Sequence, residues 1–217
     1  MAAMSSPTSE ASSGSTATAV ASATTAITRI RFATPADVPA IYGFICALAD
    51  YEKLRDCVVA TEANLLAQLF GARPAAEVLI AERVVGNLSP HDGAAVDVGP
   101  AVDLVTVAVA PATIVGFALF FHSFSTFLAQ PGLYLEDLFV DPAARGLGIG
   151  SALMAALARL AIDRGCGRFE WSVLDWNAPA LKFYRALGSE SQSEWTVERV
   201  TGPALATLAA KHSAPLR

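Results

Sequence analysis

The stretch GLYLEDLFVDPAARGLGIGSALMAALAR, residues 132–159, decides the fold of this chain. Its first half is mostly apolar with two acids in the middle, a pattern typical of a largely buried strand that carries polar groups where it meets a site. Asp141 and Pro142 end that strand, and alternating glycines then lead into Ala, Leu and Met at helical spacing. A strand, a glycine turn and a helix N-terminus in this order predict a phosphate-binding site.

The glycine turn suits phosphate for a physical reason. The first turn of a helix leaves backbone N–H groups without intrahelical partners at the positive end of the helix dipole. Glycines clear the approach to those groups and permit positive φ, and Arg145 adds a cation at the rim. We therefore predict a phosphate ligand, with a plain strand-to-helix turn as the alternative.

Three motif families share such turns. A Walker-type loop requires a lysine before Ser or Thr, whereas Ser151 directly follows Gly150, so that family is excluded. A dinucleotide fingerprint needs a glycine at its sixth position, which is Ser151 when counted from Gly146, although Glu170 at the place of a ribose-binding acid keeps this interpretation open. The remaining pattern, Arg-x-x-Gly-x-Gly, fits Arg145, Gly148 and Gly150.

Composition limits the possible functions. The chain has 217 residues, 53% of them apolar, which is enough for one good core, so we expect one domain. Its formal net charge of −5, with no cluster of basic residues, argues against a nucleic-acid partner and suits a cationic small substrate. Three cysteines without CxxC spacing and three scattered histidines predict neither a disulfide framework nor a metal site.

The first 26 residues are rich in Ser, Thr and Ala and contain no basic residue. Such a segment has too few large apolar side chains to offset the entropy of ordering, so we predict a disordered tail over residues 1–26. A transit peptide would carry arginines, and the first arginine is Arg29. We therefore predict a cytoplasmic protein, with organellar targeting by the tail as the alternative, and a single domain over residues 27–217.

Hydrophobic periodicity and punctuation predict the elements of that domain. Strands are predicted at 27–32, 77–82, 133–140, 168–174 and 193–201, and helices at 36–51, 61–70 and 149–164, after Asn177 and after Pro203. Residues 84–100 read as a long loop or an insertion. Because strands outnumber the helices between them, we predict an α/β fold with a mixed, mostly antiparallel central sheet flanked by helices, whose middle is a βαβ unit.

Two apolar segments need separate interpretation. Residues 102–121 are almost all apolar, but Asp103, Pro111 and Gly116 interrupt them, which predicts two strands with a turn near Pro111 and no membrane span. The four phenylalanines between residues 120 and 127 have no interleaved basic residues, so they predict a wall of the core or of a pocket.

With these motifs in place, the chain from about residue 27 to 201 resembles the Gcn5-related N-acetyltransferases (GNAT). The Arg145 to Ser151 loop matches that superfamily's acyl-CoA loop. The segment LEDLFV at 135–140, with Trp176-Asn177 and Phe183-Tyr184, is similar to the diamine (spermidine/spermine) acetyltransferase branch, which includes ornithine acetyltransferases and tyramine hydroxycinnamoyltransferases. The resemblance implies the GNAT acyl-CoA N-acyltransferase fold, acetyl-CoA as acyl donor and a homodimer.

The resemblance also implies roles for the matching residues. The cofactor would be held by Leu138, Phe139 and Val140 along its arm, by Arg145, Gly146, Leu147, Gly148, Ile149, Gly150 and Ser151 at its pyrophosphate, and by Trp171, Ser172, Asn177, Ala180 and Tyr184 along the channel. The amine would meet Tyr51, Glu52 and Glu136. Glu136 would draw a proton from it, and Tyr184 would be the general acid.

Acyl transfer from a thioester to an amine requires these residue types. An amine with a pKa of about 10 is mostly protonated at neutral pH, so a carboxylate must attract it and help remove one proton before it attacks a thioester. A tyrosine hydroxyl suits protonation of the leaving thiolate. No cysteine lies in these motifs, which favours direct transfer. Core packing of Tyr184, a surface pair at Glu136 and Asp137, and an ordinary helix end at Tyr51 and Glu52 are the structural alternatives.

The sequence therefore predicts acetyl transfer from acetyl-CoA to a primary amine of a small diamine, polyamine or ornithine-like substrate. A hydroxycinnamoyl-CoA:tyramine acyltransferase is the alternative enzyme. A non-catalytic acyl-CoA or polyamine sensor is the alternative of another class.

Overall fold

The computed structural model of the chain describes residues 24–87 and 111–212. The strands are β1 Thr24–Phe32, β2 Glu77–Asn87, β3 Thr113–Ser125, β4 Gln130–Val140 and β5 Phe169–Trp171. The helices are α1 Val38–Tyr51, α2 Glu62–Phe70, α3 Ile149–Asp163, α4 Ala178–Ala186 and α5 Gly202–Ala209, with short 3-10 turns at Pro35–Asp37, Arg55–Cys57 and Pro142–Ala144.

The strands form one sheet in the order β1-β2-β3-β4-β5. The first four pair antiparallel with their chain neighbours, and β5 pairs parallel to β4 after the crossover through α3. The predicted α/β fold with a mixed, mostly antiparallel sheet is confirmed, and so is the βαβ unit that follows from residues 132–159.

The core explains why β2 is apolar on consecutive residues. Val78 and Ile80 of β2 pack in one buried cluster with Ile41 of α1, Leu69 of α2 and Phe117 of β3. The intervening Leu79 and Ala81 are buried as well, so β2 is covered on both faces. In α3 the buried side chains recur at helical spacing, as at Leu153 and Leu157.

The ends of α1 and α3 use the same left-handed cap. At α1, Lys53 has φ 61°, the Leu54 amide donates to the Ala49 carbonyl at 2.8 Å, and the Lys53 amide donates to the backbone carbonyl of Asp50 at 3.2 Å. At α3, Gly165 has φ 67° and the Cys166 amide donates to Ala161 at 2.8 Å. This is the pattern of a Schellman motif, in which glycine is usual at the left-handed position. The α1 cap therefore holds a lysine where glycine would fit without strain.

A network of ion pairs joins β1, β2 and the turn before α1. Arg31 contacts Asp37 through both terminal nitrogens, at 2.7 and 2.8 Å, and contacts Glu82 at 2.6 Å. Arg29 Nε donates to the same Glu82 at 2.9 Å. The side chains of Asp37 and Glu82 are only 7% and 6% exposed, so the arginines neutralise two carboxylates that the fold has buried.

Several predicted boundaries differ from the structure. The predicted strand at 193–201 is wrong: the structure has no strand there, and its apolar residues Trp195 and Val197 are 74% and 79% exposed. β5 is shorter than predicted, and β1 begins at Thr24, inside the predicted tail. β2 runs on to Asn87, so it includes the start of the predicted 84–100 loop.

Other predictions fall partly or wholly outside the described residues. The rest of the 84–100 loop and the strand predicted before Pro111 lie among residues 88–110, and most of the predicted tail lies among residues 1–23. Of the four phenylalanines, Phe120 is fully buried as predicted, but Phe124 and Phe127 are 62% and 93% exposed near the turn between β3 and β4. That part of the predicted wall is wrong.

The chain divides into two compact units, the first ending at Trp171 and the second beginning at Ser172. The first unit contains the whole sheet with α1, α2 and α3, and the second contains α4 and α5. The single domain predicted over residues 27–217 stays a prediction. Among the described residues, no helix is long and apolar enough to cross a membrane.

Candidate active site

The glycine loop leads from the end of β4 into α3. Asp141 Oδ1 accepts from the Ala143 amide at 2.8 Å and starts a tight turn, after which Gly146 and Gly148 take φ values of 78° and 75°. Gly148 is the N-cap of α3, and Ile149, the first residue of α3, is buried. A Cβ atom added at Gly146 or Gly148 would meet no atom within 4 Å. The approach to the first turn of α3 is therefore open, as a pyrophosphate requires.

The remaining predicted loop residues lie around that opening. Leu147 is 52% exposed, Gly150 is partly buried and Ser151 is exposed in the first turn of α3. Arg145 is exposed, and its Nε donates to the Val140 carbonyl at 3.0 Å. Its guanidinium also lies 5.5 Å from the ring centre of Tyr51. The structure thus brings the loop next to a residue predicted for the amine side.

The end of β4 carries the residues predicted for the cofactor arm. Phe139 is buried with its ring 5.7 Å from that of Phe44, and Val140 pairs with Gly116. Among the described residues, β5 pairs with β4 only as far as Leu135, opposite Trp171. The backbone of β4 from Glu136 to Val140 therefore lies outside the β5 ladder on that side, where a thioester arm could bind as an added strand would.

A β-bulge sets the two acids of β4 apart. Leu135 pairs with Phe120 and Asp137 pairs with Leu119, so Glu136 is the extra residue. Because a bulge shifts the alternation by one residue, the two acids do not follow the simple inward-outward pattern of a regular strand. Glu136 is exposed, and Asp137 is partly buried.

The carboxyl of Asp137 has an unusual environment. Burial is the main reason that its pKa is raised to about 6, and the negative charges of Glu136 and Glu52 raise it further. Burial also raises the pKa of the Glu52 carboxyl. Three acids from β4 and the end of α1 are therefore near neighbours, and two of them are held where ionisation is unfavourable. Such a cluster favours a cation.

Tyr51 and Glu52 close the C-terminal end of α1. Tyr51 is its last residue, 39% exposed, and Glu52 is the C-cap residue. The structure brings this predicted pair together with Asp137 and Arg145 in the first unit. The roles of Tyr51 and Glu52 toward the amine stay predictions.

The other predicted residues lie near or beyond the end of the first unit. Trp171 ends β5, with its ring 5.0 Å from that of Phe169, and Ser172 follows it at the start of the second unit. Asn177 is 8% exposed, and its side-chain oxygen accepts from the Ala180 amide at 3.2 Å as the N-cap of α4.

Tyr184 lies on α4 with its ring 5.2 Å from that of Phe183. The roles of Asn177, Ala180 and Tyr184 toward the cofactor stay predictions.

Asp137 is the residue that sequence reasoning did not single out. The acid pair of LEDLFV was visible, but regular alternation gave no reason to prefer one acid over the other. The signal that distinguishes them is the bulge at Glu136, which depends on the register between β3 and β4. No periodicity within β4 itself reveals that register.

Comparison with known proteins identifies the class of enzyme. The profile of the acetyltransferase (GNAT) family matches residues 95–188. An L-ornithine N5-acetyltransferase of Arabidopsis thaliana is 36% identical over 82% of this chain and 86% of its own length. A thialysine N-epsilon-acetyltransferase of Bos taurus is 36% identical over 86% of this chain and 99% of its own length.

A further relative acts with a different acyl group. A tyramine N-feruloyltransferase of Nicotiana tabacum is 29% identical over 86% of this chain and 92% of its own length. Taken with the fold and the glycine loop, these similarities show that the chain belongs to the GNAT family. It is an acetyl-CoA-dependent N-acetyltransferase, within the branch that the LEDLFV, WN and FY motifs predicted.

Proposed function

We propose that this enzyme transfers the acetyl group of acetyl-CoA to a primary amine of a small diamine, polyamine or ornithine-like substrate. The observation that carries the proposal is the cluster of Glu52, Glu136 and Asp137 beside the end of β4. An ammonium group that enters this cluster is attracted by the negative charge of the carboxylates, and its positive charge lowers the cost of burying them in the ionised form. A substrate with two cationic groups fits three neighbouring acids better than a monoamine does.

The three acids have different proposed roles toward the amine. Glu136, exposed at the bulge, draws the protonated amine toward the end of β4, as the family resemblance implies. Asp137, with its pKa of about 6, is ionised at neutral pH and is a suitable acceptor for the amine proton, directly or through water. Glu52 and Tyr51 hold the far part of the substrate. Tyr184 donates the proton that the leaving thiolate takes up.

The cofactor is expected along the end of β4 and across the glycine loop. The open N-terminus of α3 supports a pyrophosphate at residues 145–151, and the part of β4 beyond its ladder with β5, as far as the described residues show, supports an arm along Leu138, Phe139 and Val140. The family resemblance implies further cofactor contacts from Trp171, Ser172, Asn177 and Ala180. Acetyl-CoA supplies the acyl group when it is bound, and the protein supplies position and charge.

An amine screen tests the substrate class. The enzyme is incubated with acetyl-CoA and L-ornithine, 1,3-diaminopropane, spermidine or tyramine, and release of free thiol is followed. We expect turnover with at least one dicationic amine. Turnover with tyramine and a hydroxycinnamoyl-CoA, without turnover of any diamine, would favour the alternative enzyme to which the tobacco relative points.

A single substitution tests the proposed acid. Tyr184→Phe is expected to lower kcat by about 10²-fold or more, as loss of general acid catalysis does, while the Kd of CoA changes little. Phe183→Leu on the same helix is the control for packing. An unchanged kcat in Tyr184→Phe would remove Tyr184 from its proposed role.

We also propose a cytoplasmic homodimer. The apolar side chains Phe124, Phe127 and Leu128 are exposed around the β3–β4 turn, which supports contact with a second copy. Light scattering coupled to gel filtration measures the mass, and a monomer at micromolar concentration would contradict the dimer. A fluorescent fusion carrying residues 1–26 tests the cytoplasmic location against organellar targeting.

A further inference from the structure

Arg145 touches three parts of the candidate site. It is the first residue of the Arg-x-x-Gly-x-Gly loop, and its Nε donates to the Val140 carbonyl at the end of β4 at 3.0 Å. Its guanidinium carbon lies 5.5 Å from the ring centre of Tyr51 and 5.6 Å from that of Phe139. A cation within about 6 Å of an aromatic ring centre is attracted by the negative face of the ring. The exposed Arg145 side chain is therefore positioned by contacts with its neighbours.

The two rings differ in how firmly they are fixed. Phe139 is 5% exposed, and its ring packs 5.7 Å from Phe44, which stacks at 5.7 Å on Phe117 in the core. Tyr51 is 39% exposed at the last turn of α1. The core thus fixes Phe139. Phe139 and the Val140 carbonyl in turn hold the Arg145 side chain, and Arg145 contacts the more exposed Tyr51.

We propose that Arg145 is a positioning residue that joins the cofactor loop to the amine side of the site by holding the Tyr51 ring. This role goes beyond a contact between Arg145 and pyrophosphate, and it rests on the proposed function only in that Tyr51 contacts the amine. It makes amine affinity depend on a side chain of the cofactor loop. Cofactor and amine are then linked through one guanidinium.

Arg145→Lys separates this role from attraction of phosphate. Lysine keeps the positive charge and binds phosphate as a point charge. It lacks the planar guanidinium that stacks on rings and the Nε donor that reaches Val140. If Arg145 serves only the phosphate, the lysine variant should behave as the wild type. If Arg145 positions Tyr51, the lysine variant should lose amine affinity and keep CoA affinity.

Calorimetric titration measures both affinities without turnover. CoA is titrated first, and L-ornithine or 1,3-diaminopropane is then titrated into the CoA complex. We expect Arg145→Lys to weaken amine binding by about two- to fivefold, the size of an exposed cation–π contact, and to change CoA binding by less than about twofold. Arg159→Lys, in an exposed ion pair with Asp163 on α3, is the matched control and should change neither.

Combination with Tyr51→Leu makes the test specific to the pair. If the two residues act together, the double variant should lose no more amine affinity than Tyr51→Leu alone. Wild-type amine affinity in Arg145→Lys, or losses that multiply in the double variant, would overturn the proposal.

Failure of the proposed function is distinguishable from failure of this inference. If the wild type binds none of the amines, the proposed function is contradicted. The Arg145–Tyr51 contact is then measured by denaturant unfolding of the wild type, Arg145→Lys, Tyr51→Leu and the double variant. A coupling of about two- to fivefold in the unfolding constant supports the contact. Additive effects on unfolding would overturn it whatever the substrate is.

Discussion

At the scale of single residues, the neighbouring acids Glu136 and Asp137 show how one backbone irregularity separates two similar side chains. The bulge leaves Glu136 exposed and Asp137 partly buried near Glu52. Both acids are visible in the sequence because they interrupt an apolar strand, but the sequence predicts only Glu136 as a site residue. The sequence does not indicate which of the two has the raised pKa, because the pKa depends on the pairing of β4 with β3 and on the end of α1, which is far away in sequence.

Asp137→Asn should remove the acidic limb of the rate profile. Because burial and two neighbouring charges raise the pKa of Asp137 to about 6, the wild-type kcat/KM should fall as the pH drops through about 6, where this base becomes protonated. We expect the variant to lose about 10²-fold in rate at pH 7.5 and to lose that limb. Glu136→Gln is the matched comparison: if it alone abolishes the limb, Glu136 is the base instead.

The same variant should be more stable at neutral pH. A carboxyl whose pKa is raised on folding contributes stability below its unfolded pKa, and that contribution is lost as the pH rises through the folded value. We therefore expect Asp137→Asn to raise the free energy of unfolding by about 1–3 kcal/mol at pH 7.5. The gain should disappear below pH 4, as urea titrations at several pH values would measure. A gain independent of pH would contradict the raised pKa.

At the scale of elements, the helix caps explain which secondary-structure predictions agree with the structure. Helices α2 and α3 were predicted well because capping residues mark their ends: Thr61 accepts from the Asn64 amide at 3.2 Å, and Gly165 closes α3. The segment 193–201 failed because alternation alone indicated a strand. Trp195 and Val197 are mostly exposed, so they do not form the buried face of a strand.

Lys53→Gly should stabilise the protein. Lys53 occupies with φ 61° the same position in its cap that Gly165 occupies with φ 67°. A left-handed conformation costs a residue with a Cβ roughly 1–2 kcal/mol, and part of the gain is offset by the larger entropy of glycine in the unfolded chain. We expect a net increase of about 0.5–1 kcal/mol in the free energy of unfolding. Lys53→Ala, which retains the Cβ, should give no such increase.

Gly148→Ala and Gly165→Ala separate backbone strain from cofactor binding. Both glycines have positive φ, and an added Cβ would meet no atom within 4 Å in either case. Each variant should therefore lose about 1–2 kcal/mol of stability from the left-handed conformation alone. Only Gly148→Ala should also weaken CoA binding, by about tenfold or more, because it places a methyl group before α3. Equal CoA affinity in the two variants would contradict the phosphate site.

At the scale of the whole molecule, the mixed sheet was predicted because strands outnumber the helices between them, and the βαβ unit was predicted from the order of strand, glycine turn and helix in residues 132–159. What could not be foreseen is how distant segments are joined. The pairing of Arg31 with Asp37 and Glu82 links β1, the following turn and β2. In the sequence these residues are ordinary scattered charges, and their burial exists only after the sheet has formed.

This network should govern stability in acid. The hydrogen bonds from Arg31 hold the pKa of Asp37 well below its usual range. At Glu82, burial would raise the pKa, but the hydrogen bonds from Arg31 and Arg29 outweigh it and lower the pKa. Carboxyls with depressed pKa values contribute stability above their unfolded pKa and lose it as the pH falls. Stability should therefore drop below about pH 4.

Asp37→Asn tests the network directly. It should lower the free energy of unfolding at pH 7 by about 2 kcal/mol, as loss of charged hydrogen bonds does, and should make stability less dependent on pH below 4. Asp50→Asn, which breaks the exposed pair with Arg55, is the control and should change stability by less than about 1 kcal/mol. Equal losses in the two variants would show that burial of the network contributes nothing.

The short connection between β3 and β4 also bears on how the chain reaches its native state. Only residues 126–129 separate these two long strands, whereas 25 residues separate the end of β2 from the start of β3. Pairing strands that are separated by fewer residues costs less chain entropy, so the β3–β4 hairpin is expected to nucleate folding, with β2 and then β1 joining it later. The strand that carries Glu136 and Asp137 would then be among the earliest parts of the molecule to form, and its bulge would be present before the rest of the site assembles.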